Sequence, residues 1–132
     1  MAYRLLTQPL HDQVILTAKN YLNQTDFDIY LNPGSQQNAG INDNYPDIVL
    51  TTKGTNTVQF IIEVETSESV NLAEATNQWK KYATEINASF YLLVPLNYQP
   101  IAFNLCRQIG ISARFGTYQL DSFGNVSNIK FE

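Results

Sequence analysis

Between Pro9 and Asn23 the apolar residues Leu10, Val14, Ile15, Ala18, Tyr21 and Leu22 recur at helical spacing, which predicts an amphipathic helix. Pro9 suits its first turn, with Gln8 or Thr7 ahead as a cap. Breaker residues from Asn20 to Asp26 end it. Phe27 to Leu31 then alternates with period two, a strand closed by Asn32-Pro33-Gly34, and the polar, Gly-containing stretch from Ser35 to Asn44 reads as a loop. Two further strands are expected over Asp47 to Thr52 and Val58 to Glu65, joined by a hairpin connection at Lys53-Gly54-Thr55-Asn56. A second helix is expected over about Asn71 to Ile86, packed through Leu72, Ala75, Thr76, Trp79, Ala83 and Ile86. Phe90 to Val94 is almost continuously apolar, as in a strand buried on both faces. A short helix over about Pro100 to Ile109 stops at Gly110, and two extended pieces follow, Ala113 to Leu120 and Val126 to Phe131.

The order α-β-β-β-α-β-α-β-β predicts an α/β fold, a mixed sheet flanked by helices. With 132 residues, 44 % of them hydrophobic, the chain is expected to form one domain over 1–132. Eight Tyr and seven Phe supply enough aromatic bulk for a core, which excludes wholesale disorder. No run of ~18 apolar residues exists, so a membrane helix is excluded, and the first residues lack the apolar stretch of a secretory signal. The expectation is a soluble, cytoplasmic protein. The single Cys106 forms no internal disulfide, and one Cys with one His is too few for a zinc site. Eight basic residues against twelve acidic ones leave a net charge of −4, so any grip on nucleic acid needs a local basic strip or a second subunit.

The informative anomaly is charge inside an apolar strand. In Phe60-Ile61-Ile62-Glu63-Val64-Glu65-Thr66, alternation sets Glu63 and Glu65 on one face and Ile62 and Val64 on the other. Two carboxylates on one face repel unless they share a cation, share a proton or reach solvent. The hairpin that joins the preceding strand to this one can bring Asp47, in Tyr45-Pro46-Asp47, beside Glu63. Acids near strand ends are most often simply solvated. Three converging carboxylates would instead make a hard-oxygen site suited to Mg²⁺ or Mn²⁺.

The order of elements, Pro46-Asp47, and Glu63-Val64-Glu65 beginning 16 positions after Asp47 resemble the PD-(D/E)xK nuclease superfamily, with its restriction-endonuclease-like fold. Gln78-Trp79-Lys80-Lys81-Tyr82 on the second helix resembles the Gln-x-x-x-Tyr element of its RecB-like branch. The likeness runs from about Pro9 to Val94. It implies Asp47, Glu63 and the carbonyl of Val64 as metal ligands. The implied activity is metal-dependent endonuclease-like hydrolysis of phosphodiester bonds, with DNA as substrate and Mg²⁺ or Mn²⁺ as cofactor. The pattern departs at position 65, where the family carries Lys and this chain has Glu65, a further ligand or a base. Lys81, or Lys80, on the second helix could stand in; Lys81 lies about 60° round from Gln78 on an ideal helix. In the related branch, residues like Gln78 and Tyr82 contact substrate or order the ligands; a polar shoulder and a half-buried Tyr is the other reading.

The alternative to an enzyme is a catalytically lapsed nuclease-fold domain serving as a nucleic-acid-binding or protein-interaction module. A homodimer or a partner protein is the expected source of any missing positive surface. His11, in the apolar arc of the first helix, reads as a packed, hydrogen-bonded imidazole, and Asp12 points away from that stripe. Cys106, among Ile101, Phe103, Leu105 and Ile109, reads as a buried structural thiol.

Overall fold

The computed structural model describes residues 8–33, 40–41 and 44–132. Three helices and six strands alternate along them: α1 (Gln8–Ala18), β1 (Phe27–Leu31), β2 (Ile48–Thr52), β3 (Val58–Val64), α2, β4 (Ser89–Pro95), α3 (Gln99–Ile109), β5 (Arg114–Leu120) and β6 (Val126–Phe131). Helix α2 is one run with an unusual middle: Leu72–Glu74 is α-helical, Ala75–Trp79 is π-helical, and Lys80–Glu85 returns to α. Thr7 and most of the expected 35–44 loop lie outside the described residues; of that loop, Ile41 and Asn44 form a short antiparallel bridge.

The ends of the helices follow from local chemistry. Helix α1 stops at Ala18 and continues only as the 3-10 turn Lys19–Tyr21, earlier than its apolar stripe predicts. The Asn23 side chain accepts from the N–H groups of Thr25 and Asp26, both at 3.0 Å, and so draws the chain into a turn. Asn71 caps α2 by accepting from the Glu74 N–H at 2.9 Å. Gly110, at φ +76°, ends α3 in the left-handed conformation that glycine adopts without a Cβ clash.

The strands lie in the order β1-β2-β3-β4-β5-β6. The first three form an antiparallel meander, β3, β4 and β5 are parallel, and β6 returns antiparallel to β5. Parallel neighbours need crossovers, and α2 and α3 supply them. Alternation along the strands sends side chains to two separate cores. On one face Val49, Ile61, Leu92 and Val94 pack with Trp79, Tyr82, Ala102 and Cys106 of α2 and α3. On the other, Ile48, Ile62, Val64 and Leu93 pack with Val14, Ile15 and Ala18 of α1. Strand β4 is thus covered on both sides, which accounts for its continuous apolar run.

Four rings cross the α1 face in edge-to-face contact: Phe27 on Phe60 at 5.5 Å, Phe60 on Tyr91 at 6.0 Å, and Tyr91 on Phe131 at 5.9 Å. The last ring lies against Gly116, where a Cβ would stand 2.7 Å from Phe131 Cδ1. No helix among the described residues is long and apolar enough to cross a membrane.

Trp79 is wholly buried, yet its Nε1 has no hydrogen-bond partner among the described residues. Trp79→Ala is expected to destabilise the fold by about 3–5 kcal/mol through the cavity it opens. Trp79→Phe keeps an aromatic ring and removes the orphan donor, so its cost is expected to stay under about 2 kcal/mol. Urea unfolding of the two variants beside wild type measures the difference.

Candidate functional site

The antiparallel register pairs Ile48 with Ile62, which sets Asp47, one residue before β2, against Glu63 near the end of β3. A buried asparagine fixes the approach. Asn32 donates its side-chain amide to the Pro46 carbonyl at 2.7 Å and its N–H to the Asp47 carbonyl at 2.9 Å. Asp47 and Glu63 are then tied reciprocally. The Asp47 N–H donates to Glu63 Oε1 at 2.9 Å, and the Val64 N–H donates to Asp47 Oδ2 at 2.8 Å. Val64 therefore touches Asp47 through its amide.

Helix α1 completes this cluster from the opposite side of the sheet. His11 Nε2 lies 3.0 Å from Asp47 Oδ2, and its Nδ1 lies 3.2 Å from Asp12 Oδ1, which also accepts from the Gln8 amide at 2.9 Å. Each ring nitrogen thus faces a carboxylate oxygen, and a ring protonated at both can donate to both. The packed, hydrogen-bonded imidazole expected at His11 is present. Its partner is the central residue of the candidate site, 36 positions away. Asp12, expected to point away, joins the cluster through His11. The signal available for this was the placement of the only His in an apolar helical arc, since a buried imidazole needs a polar partner.

Glu65 follows the last residue of β3. Its N–H donates to the Leu93 carbonyl at 2.9 Å and its carbonyl accepts from the Tyr118 hydroxyl at 2.8 Å, which fixes the backbone at this position to β4 and β5. Thr66 and Ser69 then turn the chain toward α2: the Thr66 N–H donates to Ser69 Oγ at 3.0 Å, and the Ser69 N–H to the Thr66 carbonyl at 3.1 Å. Asp47, Glu63 and Glu65 are all wholly buried, and Glu74 of α2 is buried with them.

Tyr82 reports the resulting field. Its phenol is held well above the ordinary tyrosine range, first by burial and then by the negative charges of Glu63, Asp47, Glu74 and Glu65. These surroundings favour the protonated form of the hydroxyl. Gln78 is half-buried one turn earlier on α2, whereas Lys80 and Lys81 are exposed and form no ion pair with a described residue. The ideal-helix angle that sets Lys81 near Gln78 does not carry through this segment. The π turn over Ala75–Trp79 rotates the positions that follow it, and Tyr82 is the one that turns inward.

Among the described residues, no group of three or more His, Cys, Asp or Glu side chains is disposed to hold a metal ion. The arrangement offers a pair instead. Asp47 Oδ1 is buried and lacks a hydrogen-bond partner among the described residues, while Oδ2 is engaged by Val64 and His11. A buried acceptor left unsatisfied costs about 1–3 kcal/mol. Carboxylate oxygens such as those of Asp47 and Glu63 are the donor type that a Mg²⁺-like cation takes, and both side chains are wholly buried. No family model matches the chain, and no curated protein or solved structure matches it either.

Cys106 has a different environment. It is buried in the α2–α3 core, and burial pushes its thiol up to about 11. At pH 8 its alkylation is expected to be at least about a hundredfold slower than that of a free thiol with a pKa of ~8.5, and to reach the free rate in denaturant. Timed iodoacetamide labelling followed by mass spectrometry checks this. His11→Ala is expected to destabilise the fold by about 2–4 kcal/mol, because it strips a buried carboxylate of one partner. Asp12→Ala, at a site whose side chain is 32 % exposed, is expected to cost less than about 1 kcal/mol. Chemical denaturation of both variants compares them.

Proposed function

We propose that the chain is a divalent-metal-dependent nuclease with a restriction-endonuclease-like core, acting on DNA in the cytoplasm. The observation that carries this reading is the reciprocal tie between Asp47 and Glu63, with Asp47 Oδ1 buried and lacking a donor among the described residues. The mixed sheet supports it, with α1 on one face and α2 following the acidic strand on the other.

Mg²⁺ or Mn²⁺, held by Asp47, Glu63 and the Val64 carbonyl, would supply the positive charge that acidifies an attacking water and offsets charge on the phosphate. The remaining work falls to the chain. The Val64 amide and His11 fix the orientation of Asp47. Glu65, where the resembled family carries Lys, can accept a proton but cannot neutralise phosphate. Tyr82 and, half-buried on the same helix, Gln78 would contact substrate. Lys80 and Lys81 are exposed on α2, so they would meet the backbone of a strand passing over that helix. With a net charge of −4, further positive surface would come from a second copy or a partner protein.

One observation favours the second reading, a lapsed nuclease-fold module for binding nucleic acid or protein. Asp47, Glu63 and Glu65 are wholly enclosed, and neither Lys80 nor Lys81 forms an ion pair with them.

The test is calorimetric Mn²⁺ titration of wild type, Asp47→Asn and Glu63→Gln, with folding checked by circular dichroism. These substitutions keep an acceptor for the Val64 and Asp47 amides. Wild type is expected to bind, and both variants to bind at least about tenfold more weakly while folded. Mn²⁺-dependent nicking of plasmid DNA is expected to fall about a hundredfold or more in both. A wild-type protein that neither binds Mn²⁺ nor nicks DNA rejects the enzyme in favour of the module.

A further inference from the structure

A cleft of about 330 Å³ opens beside the acidic cluster, in the angle where β4 feeds into α3. Ser67 lies just beyond β3, Asn97 and Tyr98 just beyond β4, and Gln119 and Leu120 at the end of β5. The cleft therefore sits outside the carboxyl ends of the three parallel strands. Two links along the chain tie it to the cluster around Asp47 and Glu65. Leu10, in its wall, adjoins His11, and Ser67 is two residues from Glu65. A third link is a hydrogen bond: Tyr118, also in the lining, donates its hydroxyl to the Glu65 carbonyl at 2.8 Å.

We infer that this cleft receives a single nucleobase of the strand bound at the acidic site. The inference rests on the nucleic-acid reading above for its choice of occupant. The chemistry of the lining selects that part of a nucleotide. No charged side chain lines the cleft, so nothing in it pairs with a phosphate. Tyr98, which is only partly buried, offers a ring, and Leu10 and Leu120 offer apolar walls over the buried Tyr118, which suit a flat, uncharged ring. Asn97, Gln119 and Ser67 add amides and a hydroxyl of the kind that reads a base edge. Gln119 is oriented in advance: its Oε1 accepts from the Asn128 side chain at 2.7 Å, and its Nε2 makes no hydrogen bond with a described residue. The volume of about 330 Å³ is ample for a base taken out of the stack.

The test uses ¹⁵N-labelled protein and the four free deoxyribonucleosides, with no metal and no cleavable bond. Saturable amide shifts are expected at Asn97, Tyr98, Gln119 and Leu120 on addition of at least one nucleoside. Deoxyribose 5-phosphate and N-acetylphenylalaninamide are expected to leave those amides unmoved. Tyr98→Ala should weaken nucleoside binding about tenfold and Tyr98→Phe should retain it. Leu120→Trp, at a half-exposed position that tolerates the bulk, should fill the cleft and abolish the shifts. Shifts from no nucleoside, equal shifts from the sugar phosphate, or stronger shifts from the amino-acid amide would overturn the assignment. Because neither metal nor cleavage enters, loss of Mn²⁺ binding rejects the nuclease without touching this result, and the converse holds as well.

Discussion

The carboxylate of Asp47 is the junction on which the rest of the arrangement depends. One of its oxygens takes the Val64 amide of β3 and the imidazole of α1, while its own N–H is bound by Glu63. Helix α1 packs on the sheet through apolar side chains, and Asp47 adds a polar link between that helix and the ends of β2 and β3. Directional bonds at a strand end set the register of β2 on β3 more tightly than side-chain alternation alone. A one-residue slip would carry Asp47 away from both Val64 and Glu63.

Such a junction is costly to keep. Three wholly buried carboxylates repel one another, and each loses the solvation of water. Replacement by apolar residues of similar size would often be neutral or stabilising in a purely structural setting. The compensation is assembled locally from main-chain amides and an imidazole. Stability by itself is poorly served by this arrangement, which is the reason for reading the cluster as functional.

Much of the fold was legible in the chain. The alternation of Phe60 to Glu65 marks a strand with one acidic face, and the apolar run at Phe90 to Val94 marks a strand covered on both sides, as β4 is. The meeting of Asp47 and Glu63 followed from the hairpin at Lys53 to Asn56. What was hidden depended on contacts distant in sequence or on departures from ideal geometry. The partner of His11 lies 36 residues away and on another layer, so helical periodicity could place the imidazole but not its ligand. The π turn in α2 breaks the constant angle on which the choice of Lys81 rested, and Glu74 is buried by tertiary packing that an N-terminal helical acid does not announce. The cleft at Tyr98 and Tyr118 is built from three strand ends, and no local pattern encodes their convergence.

The strands stand side by side in the order in which they occur along the chain. Every strand therefore finds its partner after a short excursion, with little loop-closure entropy to overcome and no strand to be threaded between two others. During synthesis α1, β2 and β3 emerge well before β5, so His11, Asp47, Glu63 and Glu65 are all available to one another while Tyr118 is still absent. The hydroxyl that closes onto the Glu65 carbonyl is the late arrival. The residues of the acidic cluster are thus synthesised before most of those that line the cleft.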